Sequence, residues 1–240
     1  MSRLTRTLPV LAIALFLLVP SVAAAAEPQT TPERSDLNRR FVDPELDVDG
    51  WVERFESESR EVYRAREAIV AETGLAAGMR VADVGAGTGL FVPLFAAAVG
   101  ETGRVFAVDI SPRFLEHLRT RAREAGLDQV EVVEGTDASI GLSDASVDVV
   151  FVCDTYHHFT KPKDSLASIH RALRPGGSLV IVEFEREPGT SRQWVLDHVR
   201  AGKATFRAEI EAAGFVFRRE PAVPGLAENY LQVYEKPKPE

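Results

Sequence analysis

The sequence predicts an α/β domain on a doubly wound, seven-stranded mixed sheet, mostly parallel and finished by an antiparallel C-terminal edge hairpin. Three observations carry that expectation. Short β-branched runs alternate with helical stretches between residues 80 and 183, as parallel strands joined by crossover helices do. The first run, Val81-Ala82-Asp83-Val84, ends in Gly85-Ala86-Gly87-Thr88-Gly89, and a second run delivers Asp109 twenty residues later. The last two runs, 215–219 and 229–235, lie too close together for a crossover helix and should pair antiparallel.

Taken in chain order, residues 1–26 read as an export signal. Arg3 and Arg6 form a short positive region, Leu8 to Val19 an apolar core, and Ala24-Ala25-Ala26 a small-residue cleavage site. The apolar core is shorter than a spanning helix and is broken by Pro9 and Pro20. The expectation is a periplasmic or secreted protein, with an uncleaved membrane anchor as the alternative. Residues 27–50, rich in Pro, Thr and charge, read as a linker or loosely docked arm, leaving 51–240 as the folded domain. Residues 51–73 have helical character and stop at Gly74. Strands are expected at 80–84, 104–108, 130–134, 147–153 and 178–183. Helices are expected at 90–99, 112–125, 163–173 and 192–213.

Composition is that of a globular chain, with 45% apolar and 27% charged residues. Loss of Arg3 and Arg6 with the leader would deepen the formal charge of −8. An acidic surface argues against nucleic acid as a partner, because phosphate neutralisation needs clustered Lys and Arg. Cys153 is the only cysteine, so no internal disulfide forms, and its strand context reads as an inert packed thiol.

The glycine loop carries the chemistry. Glycines at alternate positions after a strand let backbone approach a ligand, and an acid ending the next strand can grip a ribose. Leu90 occupies the place of the third glycine of a dinucleotide fingerprint, and no lysine lies between Asp83 and Asp109. The loop therefore suits a nucleoside without a pyrophosphate.

With that order of elements, the chain resembles the class I S-adenosylmethionine-dependent methyltransferases, of Rossmann-like fold. Val81–Gly89 resembles the family's first motif, Val108-Asp109-Ile110-Ser111 its ribose-binding strand end, and Gly135-Thr136-Asp137-Ala138 its adenine-contacting turn. Leu173-Arg174-Pro175-Gly176-Gly177 resembles the turn before its fifth strand. The resemblance implies S-adenosylmethionine as cofactor, held by Asp83, Gly85, Ala86, Gly87, Gly89, Asp109, Ile110, Asp137, Ala138 and Asp154. Plainer roles stay open: Asp83 as a turn acid, Asp109 as a helix cap before Pro112, and Asp137 as an Asx turn.

The acceptor side falls on Asp154-Thr155-Tyr156-His157-His158-Phe159, after the fourth strand. This run lacks the Asn/Asp-Pro-Pro-Tyr signature of amide and base methylation, and it resembles the small-molecule enzymes more. His157 and His158 are the candidate catalytic bases, with only one of the two expected to face the cleft. His198 falls on the helix that caps the cleft in related enzymes. With His157 or His158 it could make a metal site, but without a spacing such as H-x₃-H no metal is assigned. The reading is transfer of a methyl group to a small-molecule acceptor. The alternative is a non-catalytic nucleoside-binding module on the same fold.

Overall fold

The computed structural model describes Met1 and residues 37–239, so the leader and the first part of the 27–50 stretch fall outside the described residues. From residue 37 the chain forms α1 (Val48–Phe55), α2 (Glu61–Arg64), α3 (Arg66–Ala71), β1 (Arg80–Val84), α4 (Val92–Val99), β2 (Arg104–Asp109), α5 (Pro112–Glu124), β3 (Val130–Glu134) and β4 (Val147–Cys153). There follow a 3₁₀ turn (Tyr156–His158), α6 (Pro162–Ala172), β5 (Leu173–Phe184), α7 (Gln193–His198), α8 (Lys203–Ala212), β6 (Val216–Arg219) and β7 (Asn229–Glu235).

The seven strands lie in the order β3-β2-β1-β4-β5-β7-β6. β1 to β5 run parallel, while β7 pairs antiparallel with β5 and with β6. The seven-stranded mixed sheet expected from the sequence is therefore the observed one. Its strand order reverses between β1 and β4, which opens a crevice at their C-terminal ends, where open α/β sheets bind ligands.

Alternate residues of the central strands feed two cores. Val81, Phe151 and Val180 face one side and pack with Phe95 of α4 and Ile69 of α3. Ala82, Val150 and Ile181 face the other and meet Ile169 of α6 with Phe206 and Ile210 of α8. This alternation is the two-residue period of a sheet buried on both faces.

Two long helical stretches are broken. The region of helical character over 51–73 is three segments: Arg60 adopts an extended backbone (φ −91°, ψ 126°) ahead of α2, and Ala65 (φ −92°, ψ 5°) separates α2 from α3. The region read as 192–213 is interrupted between His198 and Lys203, giving α7 and α8, and both reach the same core through Val195, Phe206 and Ile210. α1 begins at Val48, within the stretch read as an arm, with Asp47 capping it through Gly50 N–H. Leu46 is buried, and the Phe41 ring lies 5.1 Å from Trp51 and 6.3 Å from Phe114. Among the described residues no helix is long and apolar enough to cross a membrane.

Phe151 is fully buried in the centre of the sheet, with the rings of Phe91 and Phe95 at 4.7 and 5.1 Å. Phe151→Ala should lower unfolding stability by about 3–5 kcal/mol, read by urea denaturation of the purified chain.

Candidate active site

One cavity of about 1070 Å³ occupies the crevice at the switch point. A single small ligand typically fills a pocket of roughly 300–1,000 Å³, so this one has room for two partners.

The donor side is built by the glycine loop. Gly85 (φ +74°) approaches Thr155 so closely that a Cβ would fall 2.3 Å from its Cγ2, so only glycine fits between β1 and the turn after β4. The N–H groups of Gly85 and Ala86 donate to Val108 O, which ties the loop to the end of β2. Asp109 is buried, and its carboxylate accepts from Gly87 N–H and Ser111 N–H, both at 2.8 Å. Those bonds fix the carboxylate but leave acceptor capacity for hydroxyls.

Asp83 is 3% exposed and its Oδ2 has no hydrogen-bond partner among the described residues. Burial, reinforced by the Asp109 charge, raises its carboxyl from the usual 3.8 to about 8. A buried carboxylate oxygen left unpaired on a cavity wall is the feature expected where a ligand's cation is received.

The structure brings Asp83, Gly85, Ala86, Gly87, Asp109, Ile110, Asp137, Asp154, His157 and His158 to one cavity wall. Gly89 and Ala138 do not line it. Gly89 (φ +85°) lies against Leu118 of α5 and lets the helix side of the loop close. The Ala138 N–H donates to Thr136 Oγ1 at 3.3 Å. Asp137 sits at the rim, its carboxylate 2.8 Å from Lys161 Nζ. Cys153 is a free thiol that burial pushes up, in keeping with an inert role.

Several residues outside the sequence motifs complete the wall. Arg60 pairs with Asp154, which also accepts from Asn229 Nδ2 at 2.6 Å. Burial raises the Asp154 carboxyl to about 6, against the pull of Arg60. Glu61 accepts from the N–H groups of Ala227, Glu228 and Asn229, and so holds Asn229 in place. The rings of Trp51 and Phe55, 4.9 Å apart, cover the cavity with Phe41, and Phe55 reaches over Gly87. Arg121 reaches across from α5 to Glu56 and to Thr88 O at 2.8 Å, clasping the end of α1 to the glycine loop.

At the other end stand the histidines. His157 and His158 both line the cavity, against the expectation that one would turn away. Tyr156 explains this: its buried side chain is the residue of the 3₁₀ turn that leaves the cavity, and its hydroxyl donates to Glu209 of α8 at 2.8 Å. Glu183, fully buried at the end of β5, places both oxygens 2.9 Å from His157 Nδ1 and accepts from His157 N–H at 3.1 Å. Burial holds the His158 ring down at about 2 and the His198 ring down at about 4, with the neighbouring His157 adding to both.

The chain is similar to known proteins. Residues 82–181 match the family model described as a methyltransferase domain. The ubiquinone/menaquinone biosynthesis C-methyltransferase UbiE of Klebsiella pneumoniae is 32% identical over 115 residues, covering 48% of this chain and 46% of that protein. The same enzyme of Ectopseudomonas mendocina is 35% identical over 118 residues, 49% and 46% of the two chains. The chain thus spans about half the length of these curated relatives. A crystal structure of a SAM-dependent methyltransferase from Aquifex aeolicus superposes with a TM-score of 0.70 at 26% identity, over 79% of this chain and 98% of that one.

The carboxyl of Asp83 supplies a test of the donor side. It keeps its proton at pH values where the unfolded chain has lost it. Its contribution to stability is therefore full below pH 3.8 and is lost as pH rises through about 8. Asp83→Asn should flatten the pH dependence of the melting temperature of the unliganded protein over that window. It should also abolish the melting-temperature rise produced by S-adenosylhomocysteine, both read by differential scanning fluorimetry. Strand order, glycine loop and matched segment together make residues 82–181 similar to a methyltransferase domain.

Proposed function

We propose that this chain transfers the methyl group of S-adenosylmethionine to a small-molecule acceptor. The observation that carries the reading is that one cavity holds both ends of such a reaction. Asp83, Asp109 and the glycine loop line one side of it, and an acid-oriented histidine the other. The family match and the likeness to the Aquifex aeolicus enzyme support the donor, and the histidine turn supports the acceptor side.

Bound, the cofactor supplies an electrophilic methyl on a sulfonium. Asp109 would accept from the ribose hydroxyls and Asp83 would face the ammonium of the methionine end. The Gly87 N–H, held on Asp109, keeps the loop close to the nucleoside. On the acceptor side Glu183 fixes the proton of His157 on Nδ1, which leaves Nε2 free to take a proton as the acceptor's lone pair forms its bond to the methyl carbon. Because the displacement is in line, alignment of acceptor, methyl and sulfur contributes much of the rate. The aromatic cover of Phe41, Trp51 and Phe55 suits an apolar acceptor that excludes water on entry.

Calorimetry with S-adenosylmethionine, S-adenosylhomocysteine and NAD should show the two adenosyl compounds binding and NAD failing to bind. Binding of NAD alone would overturn the reading. Asp109→Ala should weaken S-adenosylhomocysteine roughly 100-fold, the loss of about two charge-assisted hydrogen bonds. In a methyl-transfer screen, His157→Asn should lower kcat roughly 100-fold or more while KM for the cofactor holds. A chain that binds the cofactor and transfers nothing to any acceptor would be the binding module instead. The leader-like residues 1–26 support export, which mass spectrometry of the mature N-terminus checks: Glu27 as first residue is expected, and a retained Met1 in soluble protein argues against it.

A further inference from the structure

Three of the chain's five histidines, His157, His158 and His198, converge on one point of the cavity wall. Their ring centroids are 4.2 Å (157–158), 5.0 Å (157–198) and 5.0 Å (158–198) apart. One ring nitrogen from each lies within 4.8 Å of the other two. Three imidazoles have no mutual reason to gather: none brings a charge that another needs.

Their partners point to an absent centre. Glu183 engages His157 through Nδ1, so the Nε2 lone pair is the one left to face outward. A carboxylate behind a histidine is the usual support of a metal-ligating ring, where it sets the tautomer and raises donor strength. His158 Nδ1 is buried and has no hydrogen-bond partner among the described residues. A buried ring nitrogen in that state needs a ligand to satisfy it. Around the cluster stand Phe41, 5.3 Å from His158, Phe184, 6.0 Å from His157, and Trp194, 6.2 Å from His198. Such an apolar shell limits water at the site.

We propose that His157, His158 and His198 bind a divalent transition-metal ion, zinc, with Glu183 orienting His157 and a fourth position open to the cavity. The donor set selects the metal. Imidazole nitrogens suit zinc and its transition-metal neighbours, whereas magnesium and calcium take oxygen ligands. Three protein ligands with one open place is the catalytic type of zinc site. Zinc–nitrogen bonds of about 2.0–2.1 Å would draw the nitrogens together to roughly 3.4 Å. The buried Glu183 carboxylate offsets part of the charge.

The site also names an acceptor class, and this step rests on the methyltransferase reading where the metal site does not. An acceptor oxygen or sulfur in the open place loses its proton to solvent, as zinc-bound water does near pH 7. Its lone pair then forms the bond to the methyl carbon, and the carbon–sulfur pair leaves with the cofactor sulfur. Metal-loaded, His157 is a ligand; metal-free, it is the base.

The test uses the full chain, stripped with EDTA and titrated with zinc chloride against a chromophoric chelator. One zinc per chain is expected, magnesium should not compete, and cobalt substitution should give visible d–d bands. His198→Ala and His158→Ala should each weaken zinc at least 100-fold, and Glu183→Gln roughly 10–100-fold. Because His198 stands at the half-buried rim, His198→Ala should keep its circular-dichroism melt and its S-adenosylhomocysteine affinity within twofold, which separates ligand loss from misfolding. No zinc bound by the wild type, or zinc binding that survives the His158→Ala/His198→Ala double variant, overturns the proposal. Failure of the methyltransferase reading would show instead as failure to bind S-adenosylmethionine, with zinc binding untouched.

Discussion

The acceptor side of this protein hangs on Glu183, a carboxylate with no exposed surface and, among the described residues, no lysine or arginine paired with it. Removing such a group from water costs several kcal/mol unless hydrogen bonds replace its hydration. Here they come from His157 N–H, His157 Nδ1 and Phe184 N–H. The consequence is geometric. The end of β5 and the turn after β4 become one piece, and the direction of the His157 ring is set by a residue of the sheet rather than by a loop. Tyr156, tied to Glu209 and through it to Arg200, secures the same turn from the other side. A side chain on a connection thereby acquires the precision of the scaffold.

The donor side achieves the same end with backbone. Asp109 fastens the glycine loop through Gly87, and Val108 O fastens it through Gly85 and Ala86. The N-terminal helices are then brought over the crevice by three long-range contacts: Arg60 on Asp154, Glu61 on residues 227–229, and Arg121 on Glu56. These contacts explain why the helical pattern of residues 51–73 does not become one helix. A continuous helix would carry Arg60 past the crevice, and the buried Asp154 would lose its cation.

This sets the boundary of what could be read from the chain. Strands were legible because β-branched runs with a two-residue period bury on both faces whatever surrounds them. Asp83 and Asp109 were legible because their place beside the glycines is a local matter. The breaks near 56–60 and 199–202 were not, because partners 94 and 9 residues away decide them. Glu61 and Glu183 look like any other acid in the sequence, and only tertiary structure shows what each accepts. The histidines are the sharpest case. His157 and His158 were visible as neighbours and His198 as a candidate third ligand from the capping helix, but at a spacing of about forty residues that no metal-binding pattern describes, so only the fold shows that the three rings meet. The aromatic cover was half visible: Trp51 and Phe55 stand four apart on a helix face, while Phe41 joins them only through the fold.

For the proposed reaction, this cover and the acids beneath it pull in different directions. Acids near a sulfonium ligand strengthen its ground-state binding, and binding that the transition state does not share adds nothing to the chemical step. Charge on sulfur fades as the methyl moves, so a strong counter-charge at the sulfur would oppose transfer. The arrangement avoids this conflict. Asp109 is occupied by backbone N–H groups and placed for hydroxyls, while the unpaired Asp83 oxygen is suited to an ammonium that keeps its charge throughout. What lies over the loop is aromatic, with Phe55 above Gly87 and Trp51 beside it. A site of low polarity favours the dispersal of charge that transfer requires, and the rings supply it without a compensating acid.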